Sequence, residues 1–251
     1  MSRTAFAYEP VTKAEDTLIS QELLALVENN RTHGFWKLFS RLRNDGFLWN
    51  NKRVYRVYCE LKLNKRRRTK KRLPSREKIA LVQPGHANSC WSLDFMSDAL
   101  MNGRRFRTVN IIDDFNREAL GIRAGFSLPA ERVVEFLDEI AERRGYPNEL
   151  RLDNGPENIS CVMSNWAANN NVTIKFIQPG KPAQNGYIER FNRTYREEVL
   201  NMNLFYDISH IQAITDEWLV KYNSERPHES LGNLTPLMFS EKLRQPTDVV
   251  H

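Results

Sequence analysis

Seven of the eight residues from Lys65 to Arg72 are basic, in the run Lys65-Arg66-Arg67-Arg68-Thr69-Lys70-Lys71-Arg72, which closes on Leu73-Pro74-Ser75. A block of like charge repels itself and does not pack, and proline discourages helix in the residue before it. The run therefore divides the chain, and residues 64–88 are expected to be a basic linker. The charge on either side differs in sign. Residues 1–88 hold 19 Lys and Arg against 8 Asp and Glu, a net of +11. Residues 89–251 hold 18 against 23, a net of −5. A front this basic fits a polyanion, because neutralisation of phosphate by Lys and Arg dominates nucleic-acid affinity.

Composition excludes several classes. With 41 % hydrophobic and 27 % charged residues, the chain has the make-up of a globular protein rather than a disordered one. No apolar run approaches the ~18–20 residues of a membrane span, and the first residues do not resemble a signal peptide. Cys59, Cys90 and Cys161 are odd in number and unclustered, which argues against a disulfide framework and a Cys-rich zinc site. The expectation is a soluble, cytoplasmic protein without a membrane partner.

Before the basic run the periodicity is helical. Residues 13–29 carry Ile19, Leu23, Leu24, Leu26 and Val27, and Phe35, Leu38, Phe39 and Leu42 follow at i, i+3, i+4 and i+7 up to Asn44-Asp45-Gly46. A third helix is expected from Asn50 or Asn51, with Val54, Val57, Tyr58 and Leu61 on one face and Lys52, Arg53 and Arg56 on the other. Two short helices about a glycine turn, the second with a basic face, form a helix-turn-helix pattern that binds duplex DNA. Residues 1–63 are assigned to this region.

From residue 89 strands appear. Cys90–Met96, Arg105–Ile112 and Ala119–Ala124 read as strands so closely spaced that they must be antiparallel neighbours. A helix over 129–144, a strand over 150–153, a helix over 162–169 and a strand over 172–177 follow. Helices over 184–200 and 209–222 complete the pattern. This order predicts an α/β, ribonuclease-H-like domain over 89–240, with a mixed five-stranded sheet and flanking helices, and a C-terminal tail over 241–251.

Two predicted strands end on a carboxylate that interrupts an apolar run, Asp94 in Leu93-Asp94-Phe95 and Asp153 in Leu152-Asp153-Asn154. An ionised Asp is costly to bury unless it meets a cation, so a pair at strand ends points to a shared metal. A third carboxylate, Glu189, lies beside the expected buried stripe Ile188, Phe191, Tyr195, Val199 and Met202 on the long helix, with Arg193 and Arg196 on its own side. Asp98, Asp113, Asp114 and Glu157 are rivals, and Glu157 is the best substitute for Glu189. Asp113 and Asp114 read as turn residues.

The spacing and the flanking words together resemble a known family. Asp94, Asp153 and Glu189, the last two with 35 residues between them, resemble the Asp-Asp-Glu core of retroviral integrases and bacterial insertion-sequence transposases. Trp91-Ser92-Leu93-Asp94-Phe95, Ile112-Asp113-Asp114-Phe115-Asn116-Arg117, Leu152-Asp153-Asn154-Gly155-Pro156-Glu157 and Gln184-Asn185-Gly186-Tyr187-Ile188-Glu189-Arg190-Phe191-Asn192 agree with it. The stretch from Tyr222-Asn223-Ser224-Glu225-Arg226-Pro227-His228 to Pro236 is similar to the tail of OrfB-type transposases, and Arg196 matches that family's basic residue seven positions after the Glu. Asn158 stands where the family often has an aromatic. No His-His-Cys-Cys zinc module precedes the core, which sets the retroviral type aside.

The resemblance implies a DNA transposase that binds insertion-sequence ends, cleaves to expose a 3′-hydroxyl and joins it to another strand. It implies two Mg²⁺ ions, with Mn²⁺ as a substitute, held by Asp94, Asp153 and Glu189. Two such ions, roughly 3.5–4 Å apart, activate the nucleophile and neutralise the leaving oxygen. Candidate DNA contacts are Lys52, Arg53, Arg56, Arg66, Arg67, Arg68, Lys181, Asn185, Arg193 and Arg196. The implied partners are element ends, target DNA and a second copy in the synaptic complex. An upstream-frame segment would be fused or supplied separately, since no leucine heptads precede residue 13. The rival from another class is a catalytically silent DNA-binding regulator, and a second rival enzyme is a ribonuclease acting on RNA–DNA hybrids.

Overall fold

The structure is a computed structural model, and it describes residues 14–65, 83–153, 160–177 and 185–244. The chain divides into two units between Arg72 and Leu73.

The first unit is built from three helices. Helix α1 (Ala14–Asn29) opens with Glu15 and Asp16, whose charges suit the positive end of the helix dipole. Helix α2 (Phe35–Asn44) stops at a turn where Gly46 takes φ +94°, a backbone region that side chains avoid. Helix α3 (Asn51–Glu60) is capped by Asn50, whose Oδ1 accepts from the Lys52 backbone N–H at 2.8 Å. Ile19, Leu23, Leu38, Leu42, Val54, Val57 and Tyr58 interlock as its core. Leu24, expected on the buried stripe of α1, stays 49 % exposed, because the inner face runs through Asp16, Ile19 and Leu23.

The second unit is organised by a five-stranded sheet of β1 (Cys90–Ala99), β2 (Arg105–Asp113), β3 (Ala119–Gly125), β4 (Glu149–Leu152) and β5 (Thr173–Phe176). Its spatial order is β3-β2-β1-β4-β5, antiparallel among the first three and parallel from β1 through β4 to β5. Strand β1 does not end at Asp94, contrary to the sequence expectation. It runs on to Ala99 because β2 pairs with it along its full length, from Trp91↔Asp113 to Ala99↔Arg105. Asp94 therefore sits in mid-strand.

Helices α4 (Ala130–Arg144) and α5 (Cys161–Asn169) cover one face, where Trp91, Leu93, Val109, Ile111, Leu150 and Leu152 meet Val133, Phe136, Leu137 and Trp166. A Cβ added to Gly121 would come within 2.6 Å of the Phe136 ring, so that glycine lets α4 approach. The other face is covered by α6 (Gly186–Tyr195), a π turn (Arg196–Leu200) that continues it, and α7 (Ile208–Ser224). There Met96, Phe106, Ile112 and Ile122 pack on Ile188, Phe191, Tyr195, Val199 and Tyr222. Met202, expected on the same stripe, is instead 49 % exposed, because the helix ends with the π turn at Leu200.

Strand β3 is an edge, and α7 closes part of it with side-chain amides. Gln212 accepts from the Ala124 N–H at 3.0 Å and donates to the Ile122 carbonyl at 2.9 Å. Asn223 accepts from the Ala119 N–H and donates to its carbonyl, both at 2.9 Å. A helix α8 (Pro236–Arg244), absent from the sequence expectation, crosses position 240 and brings Phe239 against Phe115.

Candidate active site

The parallel register of β1 and β4 brings the first two carboxylates together. Ser92 pairs with Arg151, and two residues further along each strand stand Asp94 and Asp153. Residues two apart share a face, and adjacent strands lie about 4.8 Å apart, so both carboxylates leave neighbouring strands toward the same side. Asp153 follows the last residue of β4 and is half-buried. Glu189 stands in the first turn of α6, exposed, one turn before Asn192 on the same helix.

Asn192 marks where that helix meets Asp94. Its Nδ2 donates to Asp94 Oδ2 at 2.7 Å, and its Oδ1 accepts from Asn110 Nδ2 at 2.7 Å. Asn110 is opposite Asp94 on β2. Asp94 Oδ1 accepts from the Phe95 backbone N–H at 2.8 Å, so both its oxygens are held. Burial pushes the Asp94 carboxyl up to about 6, and the charges of Asp153 and Glu189 push the same way against the Phe95 and Asn192 donors. The three carboxylates thus lie within electrostatic reach of one another. Among the described residues no group of three His, Cys, Asp or Glu side chains lies close enough together to hold a metal ion.

Asparagines 110 and 192 escape the sequence reading. The signal was the one used for Asp94: a polar residue breaking the apolar run Val109-Asn110-Ile111, and another on the inner side of an amphipathic helix. The turn after β2 is structural, as expected. Asp113 accepts from the backbone N–H groups of Asn88 (2.8 Å) and Phe115 (2.9 Å), and Asp114 pairs with Arg151. Arg117 stacks 3.5 Å from the centroid of Tyr187, on the turn that carries Glu189.

The expected DNA contacts fall into distinct environments. Lys52 is exposed on α3. Arg53 and Arg56 are not a bare basic face: Arg53 bonds Asp16 at 2.6 Å and also pairs with Glu15, while Arg56 bonds Asp16 and Glu60 at 2.8 Å each. Asp16 is buried, and the Arg56 and Arg53 guanidinium groups hold its carboxyl below the usual range. These arginines tie α3 to α1, so the free charge on α3 is smaller than the sequence implies. Arg193 is exposed. Arg196 reaches Asp98 at 3.3 Å and the Ser97 carbonyl at 3.1 Å. Asn185 is buried, with its amide oxygen lacking a partner among the described residues. Arg66, Arg67, Arg68 and Lys181 lie outside the described residues, as do Glu157 and Asn158.

No helix among the described residues is long and apolar enough to cross a membrane. An HTH-like domain family matches residues 13–72, and two integrase core domain families match residues 84–182 and 170–236. An uncharacterized 31.7 kDa protein of insertion element IS407 from Burkholderia multivorans is 39 % identical over 248 residues, covering 99 % of this chain and 90 % of that protein. A 39.2 kDa protein of insertion element IS476 from Xanthomonas euvesicatoria is 36 % identical, covering 97 % and 70 %. The putative transposase InsK of IS150 from Escherichia coli is 23 % identical, covering 87 % and 81 %. Among solved structures, a chain of the simian T-cell lymphotropic virus intasome in complex with a PP2A regulatory subunit superposes with a TM-score of 0.57 at 15 % identity, covering 82 % of this chain and 71 % of that one. That likeness is one of fold. With an HTH-like segment ahead of an integrase core, and relatives in insertion elements along almost its whole length, the chain belongs to the insertion-sequence transposase family of the OrfB type.

Proposed function

We propose that this protein is a polynucleotidyl transferase that cuts DNA at insertion-sequence ends and joins the freed strand to a second duplex, with Asp94, Asp153 and Glu189 as its catalytic carboxylates. The observation that carries the reading is the charge conflict at Asp94, a carboxyl raised to about 6 by burial and by two further carboxylates. Such a group wants a cation. The donor set fits Mg²⁺, which favours oxygen ligands and retains waters, so three carboxylates with phosphate oxygens suffice without a closed cage. Mn²⁺ accepts the same ligands. When bound, two such ions supply an acidified nucleophile and neutralise charge on the leaving oxygen.

The chain's own residues prepare that chemistry. Asn192 and the Phe95 N–H fix both oxygens of Asp94, and Asp153 stands beside it on the neighbouring strand. Glu189, exposed on the first turn of α6, would complete the donor set toward the cations that an incoming phosphate also contacts. In cleavage, a water oxygen bonds to phosphorus and the 3′-oxygen leaves as a hydroxyl. In joining, that hydroxyl oxygen bonds to a target phosphorus, whose own 3′-oxygen leaves. The helix-turn-helix region, the basic segment 64–88 and Lys181, Arg193 and Arg196 would hold duplex DNA, and joining two ends calls for at least two copies.

The test is a labelled duplex carrying the element's own end, incubated with Mg²⁺ or EDTA and with wild type or Asp153→Asn. Metal-dependent nicking or joining that disappears in the variant is the expected result. DNA binding with no strand chemistry, alone or with an upstream-frame segment supplied, would make the protein a silent DNA-binding regulator instead.

A further inference from the structure

The first turn of α6, which carries Glu189, has little of its own to hold it. Asn185, its N-cap, makes no side-chain capping bond, and the first backbone N–H groups of a helix have no partner within it. One turn later Asn192 bonds Asp94 and fixes the helix there. Two side chains tie the first turn itself: Ile188 is fully buried in the core on the sheet, and Tyr187 lies against Arg117. Successive helical residues are about 100° apart, so Tyr187 and Glu189 leave opposite flanks of the turn with Ile188 between them. Ile188 alone leaves the turn free to roll about its axis, which would swing Glu189 relative to Asp94. A second hold at Tyr187 stops that roll.

Arg117 stands on the turn between β2 and β3 with φ +61°, in the left-handed region that a non-glycine residue enters only when its surroundings hold it there. That turn is pinned within itself and from α4 and α8. The Arg117 N–H donates to the Asp113 carbonyl at 2.9 Å, Glu118 pairs with Arg144 at the end of α4, and Asn116 Nδ2 donates to Ser240 Oγ on α8 at 2.7 Å. The Arg117 side chain is 8 % exposed, and its Nη1 has no partner among the described residues. Burial pushes the guanidinium pKa down. Enclosing a cation is costly, and what this one meets is the face of the Tyr187 ring, 3.5 Å from the centroid. The attraction of a cation to an aromatic face grows when water is excluded.

We propose that Arg117 is a positioning residue: by stacking on Tyr187 it holds the first turn of α6, and with it the place of Glu189 relative to Asp94 and Asp153. The inference rests on the transferase reading above for the role of Glu189. Arg117 touches neither cation nor DNA in this scheme and acts through Tyr187.

The experiment uses the full chain, with R117A, R117K, Y187L and Y187F beside wild type, and thermal melting checks that each variant folds. Two quantities are read. The first is backbone hydrogen exchange at residues 190–193, whose N–H groups donate to the carbonyls of the first turn. R117A and Y187L are expected to lose protection there and to keep it in the sheet. The second is the Mg²⁺ concentration for half-maximal cleavage of a labelled end duplex in single turnover. It is expected to rise about 10–100-fold in both variants, the usual effect of losing support behind a metal ligand. The double variant R117A/Y187L should lose no more than either single one, since both break the same contact. R117K is expected to resemble R117A, because an ammonium offers no plane to stack, and Y187F, which keeps the ring, to resemble wild type. Global destabilisation by itself would reduce the amount of active protein and leave the half-saturating Mg²⁺ unchanged. Wild-type exchange in folded R117A and Y187L, or a wild-type Mg²⁺ requirement in both, would overturn the proposal. The transferase reading is judged separately: a wild-type chain that cuts nothing in Mg²⁺ defeats the chemistry, while the exchange data still decide the tie between Arg117 and α6.

Discussion

At Asp94 two opposing tendencies meet in one side chain. Hydrogen bonds from Asn192 and Phe95 favour the ionised form, while burial and the charges of Asp153 and Glu189 disfavour it and prevail. The folded carboxyl titrates at about 6 against ~3.9 in the unfolded chain, so between these values the native state binds the extra proton. Stability from this group is therefore complete below about pH 4 and lost as pH rises through 6. Asp94→Asn removes the charge and keeps an acceptor for Asn192, although its amide nitrogen cannot accept from the Phe95 N–H as Oδ1 does. In EDTA at pH 7 it should be more stable than wild type by up to about 3 kcal/mol, the equivalent of about two pKa units, with the gain vanishing near pH 4. Urea denaturation at the two pH values measures it. Asn192→Ala frees one oxygen of Asp94, and loss of such outer support typically costs about 10–100-fold. Strand cleavage should fall by that factor with DNA affinity unchanged, read from single-turnover rates and binding isotherms. Asp94 and Asp153 stand out in the sequence because each interrupts an apolar run, whereas Glu189 is marked by its spacing from Asp153. The two asparagines do not, since a neutral amide breaks the pattern without announcing a charge that must be answered.

Among the elements, the stretch from Tyr222 to Pro236 has a family likeness but no role that its residue types alone reveal. The fold supplies one. Tyr222 is buried against Phe191 and Trp218, Asn223 bonds the start of β3, and Arg226 pairs with Glu198 on the π turn that continues α6. Glu198 also accepts from Trp218 Nε1 at 3.0 Å. The segment thereby braces the helix that bears Glu189. A change of helical pitch at Arg196–Leu200 breaks the 3.6-residue period, so no periodicity argument over 184–200 could have found it. Arg226→Met leaves Glu198 with a poorly compensated charge and should destabilise the catalytic unit by roughly 3 kcal/mol, within the range for breaking a buried pair. The double variant Glu198→Gln/Arg226→Met should recover part of this in a urea double-mutant cycle. Helix α1 carries a comparable lesson: Arg53 and Arg56 read as a basic face because their partner Asp16 lies 37 and 40 positions away in sequence.

For the whole molecule, the basic block and the change from helical to strand texture at residue 89 already implied a front and a rear, and two units are observed. The order of elements in the rear was also legible, since antiparallel strands with short turns precede alternating helices and strands. Helix α8 was not, because its few apolar residues gain meaning only where Phe239 meets Phe115. Deletion of residues 65–72 removes seven positive charges. Affinity should fall on every duplex, whatever its sequence, and the salt dependence should flatten. A filter-binding series at several salt concentrations provides the measurement.

The amide caps on β3 carry a consequence for how the protein is made. Gln212 reaches Ile122 across 90 residues and Asn223 reaches Ala119 across 104. At translation speeds of about 5–20 residues per second, the first three strands wait roughly 5–20 s on the ribosome before their border is sealed. A chain interrupted before residue 212 would keep that border adhesive, as unpaired strand edges are. Truncated products that lack α7 should therefore aggregate more readily than the full chain.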